Sequence, residues 1–270
     1  MMRVLLRKGR AGVLTLLVIM AGVLVSGSVL AAEQTNYDET KKAAEQGDAK
    51  AQFLLGLMYA KGGAIQQDDP QAVRWYRKAA EQGYAEAQYN LGFMYDNGRG
   101  VTQDFTQAMA WYRKAAKQGD AFAQHNLGSM YENGKGVPAD YRQAASWYKK
   151  AAEQGDAFAQ QKLAVLYCKG EGVSRDYKQA IRWYTKSAEQ GLVTAQTNLG
   201  YLYATGQGVP QNDTQAYAWY SLAAAQGYEN AEKARDVIVT KFTQEQISQA
   251  QALAAEMQIK MQIGQAQQKQ

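Results

Sequence analysis

The chain has 270 residues, 46% hydrophobic and 20% charged, a balance that supports a buried core and excludes wholesale disorder. The formal charge is +5, but Arg3, Arg7, Lys8 and Arg10 crowd the first ten positions, and the 26 basic residues that remain face 25 acidic ones. The chain beyond this N-terminal segment therefore offers no electrostatic case for nucleic acid or anionic lipid. The single cysteine, Cys168, excludes an internal disulfide.

The first 32 residues have the three parts of a secretory signal: a basic stretch to Arg10, an apolar run over Ala11–Val25, and small residues before Ala31 and Ala32. An uncleaved membrane anchor is the alternative, because the uncharged run Ala11–Ala32 is just long enough to span a bilayer. The polar break Ser26-Gly27-Ser28 favours cleavage after Ala31 or Ala32. Either way the remainder is expected outside the cytoplasm, in the periplasm or an equivalent compartment, or anchored in the inner membrane and facing it.

Tryptophans 75, 111, 147, 183 and 219 recur every 36 residues, as do Gln-Gly pairs ending at Gly47, Gly83, Gly119, Gly155, Gly191 and Gly227. The spacing predicts five ungapped repeats, 48–83, 84–119, 120–155, 156–191 and 192–227. Each reads as two helices. In the second repeat Ala87, Leu91, Met94 and Tyr95 share one face of a helix over Ala85–Asn97, which Gly98 ends. Asp104 then opens a second helix, with Gln107 placed as in a capping box. The pairs Asp68/Gln71, Asp140/Gln143, Asp176/Gln179 and Asn212/Gln215 repeat the device. Residues 33–47 read as an N-terminal capping helix. A half-repeat and a polar helix capped by Thr243 with Gln246 fill 228–261, and the Gln-rich 262–270 is expected to fray. No segment alternates with period two, so no sheet is expected.

The order Ala-x-x-x-Leu-Gly-x-x-Tyr, Gly-x-Gly-Val, Asp, then Ala-x-x-Trp-Tyr-x-Lys-Ala-Ala-x-Gln-Gly resembles the Sel-one-like repeat family, relatives of tetratricopeptide repeats. The resemblance covers about residues 38–240, with small departures at Ala64, Ala164 and Ser187. It implies an all-α, α/α superhelical solenoid acting as an adaptor or scaffold, whose first helices line a concave groove. Members with signal peptides are typically extracytoplasmic.

Catalytic patterns are sparse. His125 is the only histidine, which leaves Ser-His-Asp, Cys-His and multi-histidine metal sites short of members. The repeated Asp residues stand one per repeat and read as caps, not a calcium loop. Neither a metal nor another cofactor is expected, and the chain reads as a non-enzyme. The tryptophans read as core, each removing about 150–250 Å² from water. Lys78, Lys114, Lys150 and Lys186 suit helix C-termini and pairing with Glu81, Glu153 and Glu189, without a nucleic-acid role.

Residues that differ between repeats are free to recognise something. On the first helices they form a stripe that includes Lys50, Phe53, Leu57, Glu86, Tyr89, Phe93, Asp96, Phe122, His125, Phe158, Gln161 and Tyr201. Its aromatics suit a groove that holds an extended or helical segment of another protein, an envelope protein or peptide. A cell-envelope enzyme with an unrecognised site, or a membrane-anchored structural or stress protein, are the alternative readings.

Overall fold

The computed structural model describes residues 36–63 and 65–267; the signal-like segment 1–32 lies outside them. The described chain is helical throughout. Helix α1 covers 36–45. It is followed by α2 (Ala49–Lys61), α3 (Asp69–Glu81), α4 (Ala85–Asn97), α5 (Phe105–Lys117), α6 (Ala121–Asn133), α7 (Tyr141–Glu153), α8 (Ala157–Lys169), α9 (Tyr177–Glu189), α10 (Val193–Thr205), α11 (Asp213–Ala224), α12 (Glu229–Val239) and α13 (Gln244–Gln267). No strand occurs among the described residues. The alternation of first and second helices is that of an all-α solenoid. Two compact units divide the chain, one ending at Ala108 and the other beginning at Met109.

The helix boundaries follow from their caps. Asp68, Asp140, Asp176 and Asn212 each accept from the backbone N–H of the Gln three residues on, which satisfies one of the donors a helix start leaves open. First helices use the same device where the sequence supplies it: Asp48, Asp120 and Asp156 cap α2, α6 and α8. Tyr84 and Leu192 stand at the equivalent places of α4 and α10 without a side-chain bond. The full reciprocal box forms at Thr243 and Gln246. Gly134 ends α6 in the left-handed conformation and returns its N–H to the Met130 carbonyl.

In the first unit Ala44, Ala51 and Leu55 form the buried cluster that seats α1 on α2. Tyr76 of α3 lies flat against Gly56 of α2, where an added Cβ would stand 2.7 Å from the ring. Arg99 in the loop after α4 reaches back to Asp69 at 2.6 Å, and Arg77 donates to the Tyr95 hydroxyl.

The second unit repeats these joints. Tyr148, Tyr184 and Tyr220 are buried, and Tyr148 meets Gly128 as Tyr76 meets Gly56. Gly172 is needed for another reason: it has positive φ, and a Cβ there would stand 2.1 Å from the Tyr141 carbonyl oxygen, so the loop can touch the start of α7 only without a side chain. Ala216, Tyr217, Tyr220, Ala231, Ile238 and Ala250 close the C-terminal end.

Two expectations are corrected. In the first three repeats the deep aromatic residue of the Trp-Tyr pair is the tyrosine: Tyr76, Tyr112 and Tyr148 are buried, whereas Trp75, Trp111 and Trp147 are half-buried; in the last two, Trp183 and Trp219 are buried as well. Periodicity marks both positions alike, and only the helix-pair geometry tells which one faces the partner helix. The C-terminal helix also continues through Gln267, past the fraying expected from residue 262, because Met257 and Met261 pack onto the core of the repeats.

These depths predict unequal costs. Tyr148→Ala is expected to lose about 3–5 kcal/mol and Trp147→Ala about 1–2 kcal/mol, because its half-exposed ring returns less area to water. Urea unfolding of the two variants measures the order, and equal losses would contradict it.

Candidate functional site

The variable first-helix residues fall into three environments. At the third position of the first four repeats, side chains stand out from the helix: Lys50 and Glu86 in the first unit, and Phe122 and Phe158 in the second, are all exposed. Phe122 retains 63% and Phe158 59% of its surface, and Tyr201, on the following first helix, retains 52%. Leu57, Phe93, Tyr89 and Asp96 are half-buried in the first unit, and Gln161 is half-buried in the second.

Sixth-position residues turn toward the next helices instead. Phe53 packs its ring 6.0 Å from Tyr76 and 5.3 Å from Tyr84. His125 lies 5.7 Å from the Tyr148 ring and edge-on to Phe158 at 6.4 Å. Its Nδ1 meets the Asp156 carboxylate at 3.2 Å. The lone histidine therefore joins two successive first helices through the residue that caps the second of them. His125 thus packs beside Phe158 of α8, while Phe122 stands three residues before it on α6.

Electrostatics at this joint are set by Asp156. Burial alone would raise its carboxyl, but the bonds from His125 and from the backbone N–H groups of Ala159 and Phe158 outweigh it and hold the group below its ordinary value. Thirteenth-position residues meet the buried tyrosines. Tyr148 donates to Glu132, which also pairs with Lys162 at 3.1 Å. Burial, and then the Glu132 bond, push the Tyr148 phenol well up; burial takes Tyr76 to about 12. Cys168 stands where Glu132 stands and bonds to Tyr184; burial pushes its thiol up. That makes it a packing residue rather than a reactive thiolate.

The lysines of the second helices take an unexpected partner. Lys78, Lys114, Lys150 and Lys186 hold their ammonium groups 3.8–4.7 Å above the rings of Trp75, Trp111, Trp147 and Trp183, a cation–π arrangement. Pairing with glutamate of the kind expected is seen instead from Lys149 to Glu153, at 3.9 Å. The signal was present in the sequence, since each lysine stands three residues after its tryptophan and so on the same helical face.

The glutamines that sequence reasoning passed over form the joint between repeats. Buried Gln124, Gln160 and Gln196 each donate to an alanine carbonyl near the end of the preceding second helix. Each also accepts from the glutamine 30 residues on, Gln154, Gln190 and Gln226. Gln190 and Gln226 bond in addition to the carbonyls of Gly155 and Gly191.

Because the folded Asp156 carboxyl sits below its unfolded value, its contribution is present above about pH 4 and is lost as pH falls through the folded value. Asp156→Asn keeps a capping side chain and removes the charge. The stability gap between wild type and this variant should close on acidification from pH 6 to pH 3, followed by denaturant titration; a constant gap would contradict the assignment.

Among the described residues, no group of three or more His, Cys, Asp or Glu stands close enough to hold a metal ion. No helix among them is long and apolar enough to cross a membrane. The Sel1 repeat family model matches five consecutive spans, 49–84, 85–120, 121–156, 157–192 and 193–228. Among solved structures, a protective antigen of uropathogenic Escherichia coli strains displaying an SLR fold is 43% identical over 82% of this chain, with a TM-score of 0.75. This chain spans about half of that protein, 48% of its length. A Sel1 repeat protein from Oxalobacter formigenes is 35% identical, with a TM-score of 0.65, over 76% of this chain and 86% of its own. No match was found among the curated proteins. Proteins of this kind generally serve as protein-interaction scaffolds. With five tandem matches over most of its helices, the chain belongs to the Sel1 repeat family.

Proposed function

We propose that this protein is an exported scaffold that captures a segment of another envelope protein on the first-helix surface of its second unit. The observation that carries the reading is the exposure of Phe122 and Phe158, at one register of successive first helices, at 63% and 59%. Large apolar side chains scattered singly on a surface mean little, but two at one register of successive first helices, one of them beside His125, suit an apolar docking patch. Aromatic anchors of this kind carry a disproportionate share of binding energy. Tyr201, on the following first helix, is likewise exposed, and Gln161 and His125 supply polar atoms on the same first helices.

Export rests on residues 1–32, with their basic start, apolar run and small-residue exit. It agrees with the Escherichia coli relative, since a protective antigen is one that an immune response reaches. The absence of a catalytic cluster from the sequence fits a binding role better than an enzymatic one.

Two measurements test the reading. Mass spectrometry of the native N-terminus should find the chain starting at Ala32 or Glu33 in the periplasmic fraction; an intact start in the cytosol would refute export. In a crosslinking pull-down from the envelope, the double variant Phe122→Ser with Phe158→Ser should lose capture of the partner by about 2–4 kcal/mol, as hot-spot residues do. Its thermal midpoint should barely move, because exposed residues contribute little to folding. A variant that unfolds like Tyr148→Ala would show that the phenylalanines belong to the core.

A further inference from the structure

A different surface of the second unit has a built-in occupant. Each second helix carries a stripe at spacings of four, three and four: Gln143, Trp147, Lys150 and Gln154 on α7; Gln179, Trp183, Lys186 and Gln190 on α9; Gln215, Trp219, Leu222 and Gln226 on α11. These positions lie on one helical face. They are nearly constant between repeats, yet the aromatic at the centre is not uniformly buried. Trp183 and Trp219 are only 6% exposed, whereas Trp111 and Trp147 are half-buried.

Helix α13 accounts for the difference. Its Met257 and Met261 pack against the cluster that holds Trp183 and Trp219, and its Gln265 approaches Gly191. Where the helix lies over α11, the lysine of the stripe is replaced by buried Leu222. Further along, a cleft of about 780 Å³ is lined by residues of α13 together with Gln154 and Gly155, at the end of the α7 stripe. Trp147 and Trp111 hold the same register of the stripe on α7 and α5, and both are half-buried.

The part of the stripe on α5 and α7 is cationic. Lys114 and Lys150 lie over their tryptophan rings at 3.8 and 4.1 Å, and Arg113, Lys117, Arg142 and Lys149 stand on the same two helical segments, with Glu153 as the acidic residue. An ammonium group held on a ring face is positioned and partly desolvated, which strengthens its attraction for an incoming carboxylate.

From this we infer that Trp111, Lys114, Trp147 and Lys150 form a second docking surface, separate from the first-helix patch, that takes an acidic amphipathic helix of another protein in line with α13. Neighbouring packed helices lie about 8–10 Å apart, and seven residues of a crossing helix span about 10.5 Å. The occupant therefore carries Leu or Met about seven residues apart for the two rings, with Asp or Glu one turn away for the two lysines.

The probe is a labelled synthetic peptide with the sequence of Gln244–Gln267 and Lys260 replaced by Glu, titrated by fluorescence anisotropy with the whole mature protein. Saturable binding is expected, weakening with salt and falling about tenfold or more in Lys114→Glu with Lys150→Glu. These lysines are exposed, so folding should survive, which circular dichroism checks. Unchanged binding by that variant overturns the proposal. So does loss of binding in Phe122→Ser with Phe158→Ser, which would assign the peptide to the first-helix patch, and so does failure to bind at all. A single-stranded oligonucleotide that binds in a Lys114- and Lys150-dependent manner, where the peptide does not, would replace the protein partner with a nucleic acid and equally overturn it.

Discussion

Stacked helix pairs bury helix ends as well as helix faces, and the ends impose the harder constraint. The last carbonyls of a second helix have no intrahelical donor, and in a stack they lie against the next repeat rather than in water. An unmet polar group there costs about 1–3 kcal/mol. The turn glycines meet part of this demand, Gly155 donating its N–H to the Ala152 carbonyl, and the two glutamines of a repeat add to it. One, buried in the first helix, caps an alanine carbonyl of the previous repeat; the other, at the end of the second helix, bonds to the first and reaches a turn glycine of the previous repeat. The network ties each repeat to its predecessor at one register, so the ungapped 36-residue period is a hydrogen-bonding requirement as much as a packing one.

With the ends fixed, packing between the two helices of a repeat depends on the tyrosine and the small residue it covers. Gly56, Gly128 and Gly200 leave the ring no room for a Cβ, while the fourth repeat buries Ala164 in one cluster with Tyr184. One methyl is thus accommodated when its surroundings differ, consistent with the few tenths of an ångström by which a neighbour can give way. The tyrosine hydroxyls then reach whichever residue the first helix offers, Glu132 in one repeat and Asn198 in another. Variable residues here serve the packing within a repeat, as Glu132 does, or between neighbouring repeats, as Asn198 does, so variability alone does not mark a binding surface.

The repeats, helices and second-helix caps were legible because each recurs at a fixed interval. Asp48, Asp120 and Asp156 were harder to see as caps because Tyr84 and Leu192 interrupt their series. The buried glutamines were missed for a physical reason: glutamine is ordinarily a surface residue, and nothing in a linear pattern reveals that its amide replaces a lost helical bond. The tryptophans misled in the opposite direction. Their constancy reads as core, which holds for Trp183 and Trp219, but in the first three repeats the ring is half-buried with a lysine lying on it. For the first-helix stripe, sequence comparison found the exposed Phe122 and Phe158 but could not separate them from His125 and Phe53, which the same variability includes and which turn into the packing.

Constancy between repeats has two sources in this chain, and the substitution of leucine for lysine at position 222 separates them. A residue kept only for helix stability would remain lysine in every repeat, since its helix-terminal position is the same. The change occurs where α13 lies, at a place where a buried ammonium group would have to give up its water without an anion to replace it. On α9, beside the same helix, Lys186 is retained over the Trp183 ring. The stripe is therefore apolar where α13 packs directly on α11, at Leu222, and cationic from α9 back to α5, where an occupant from elsewhere would bring its own carboxylates.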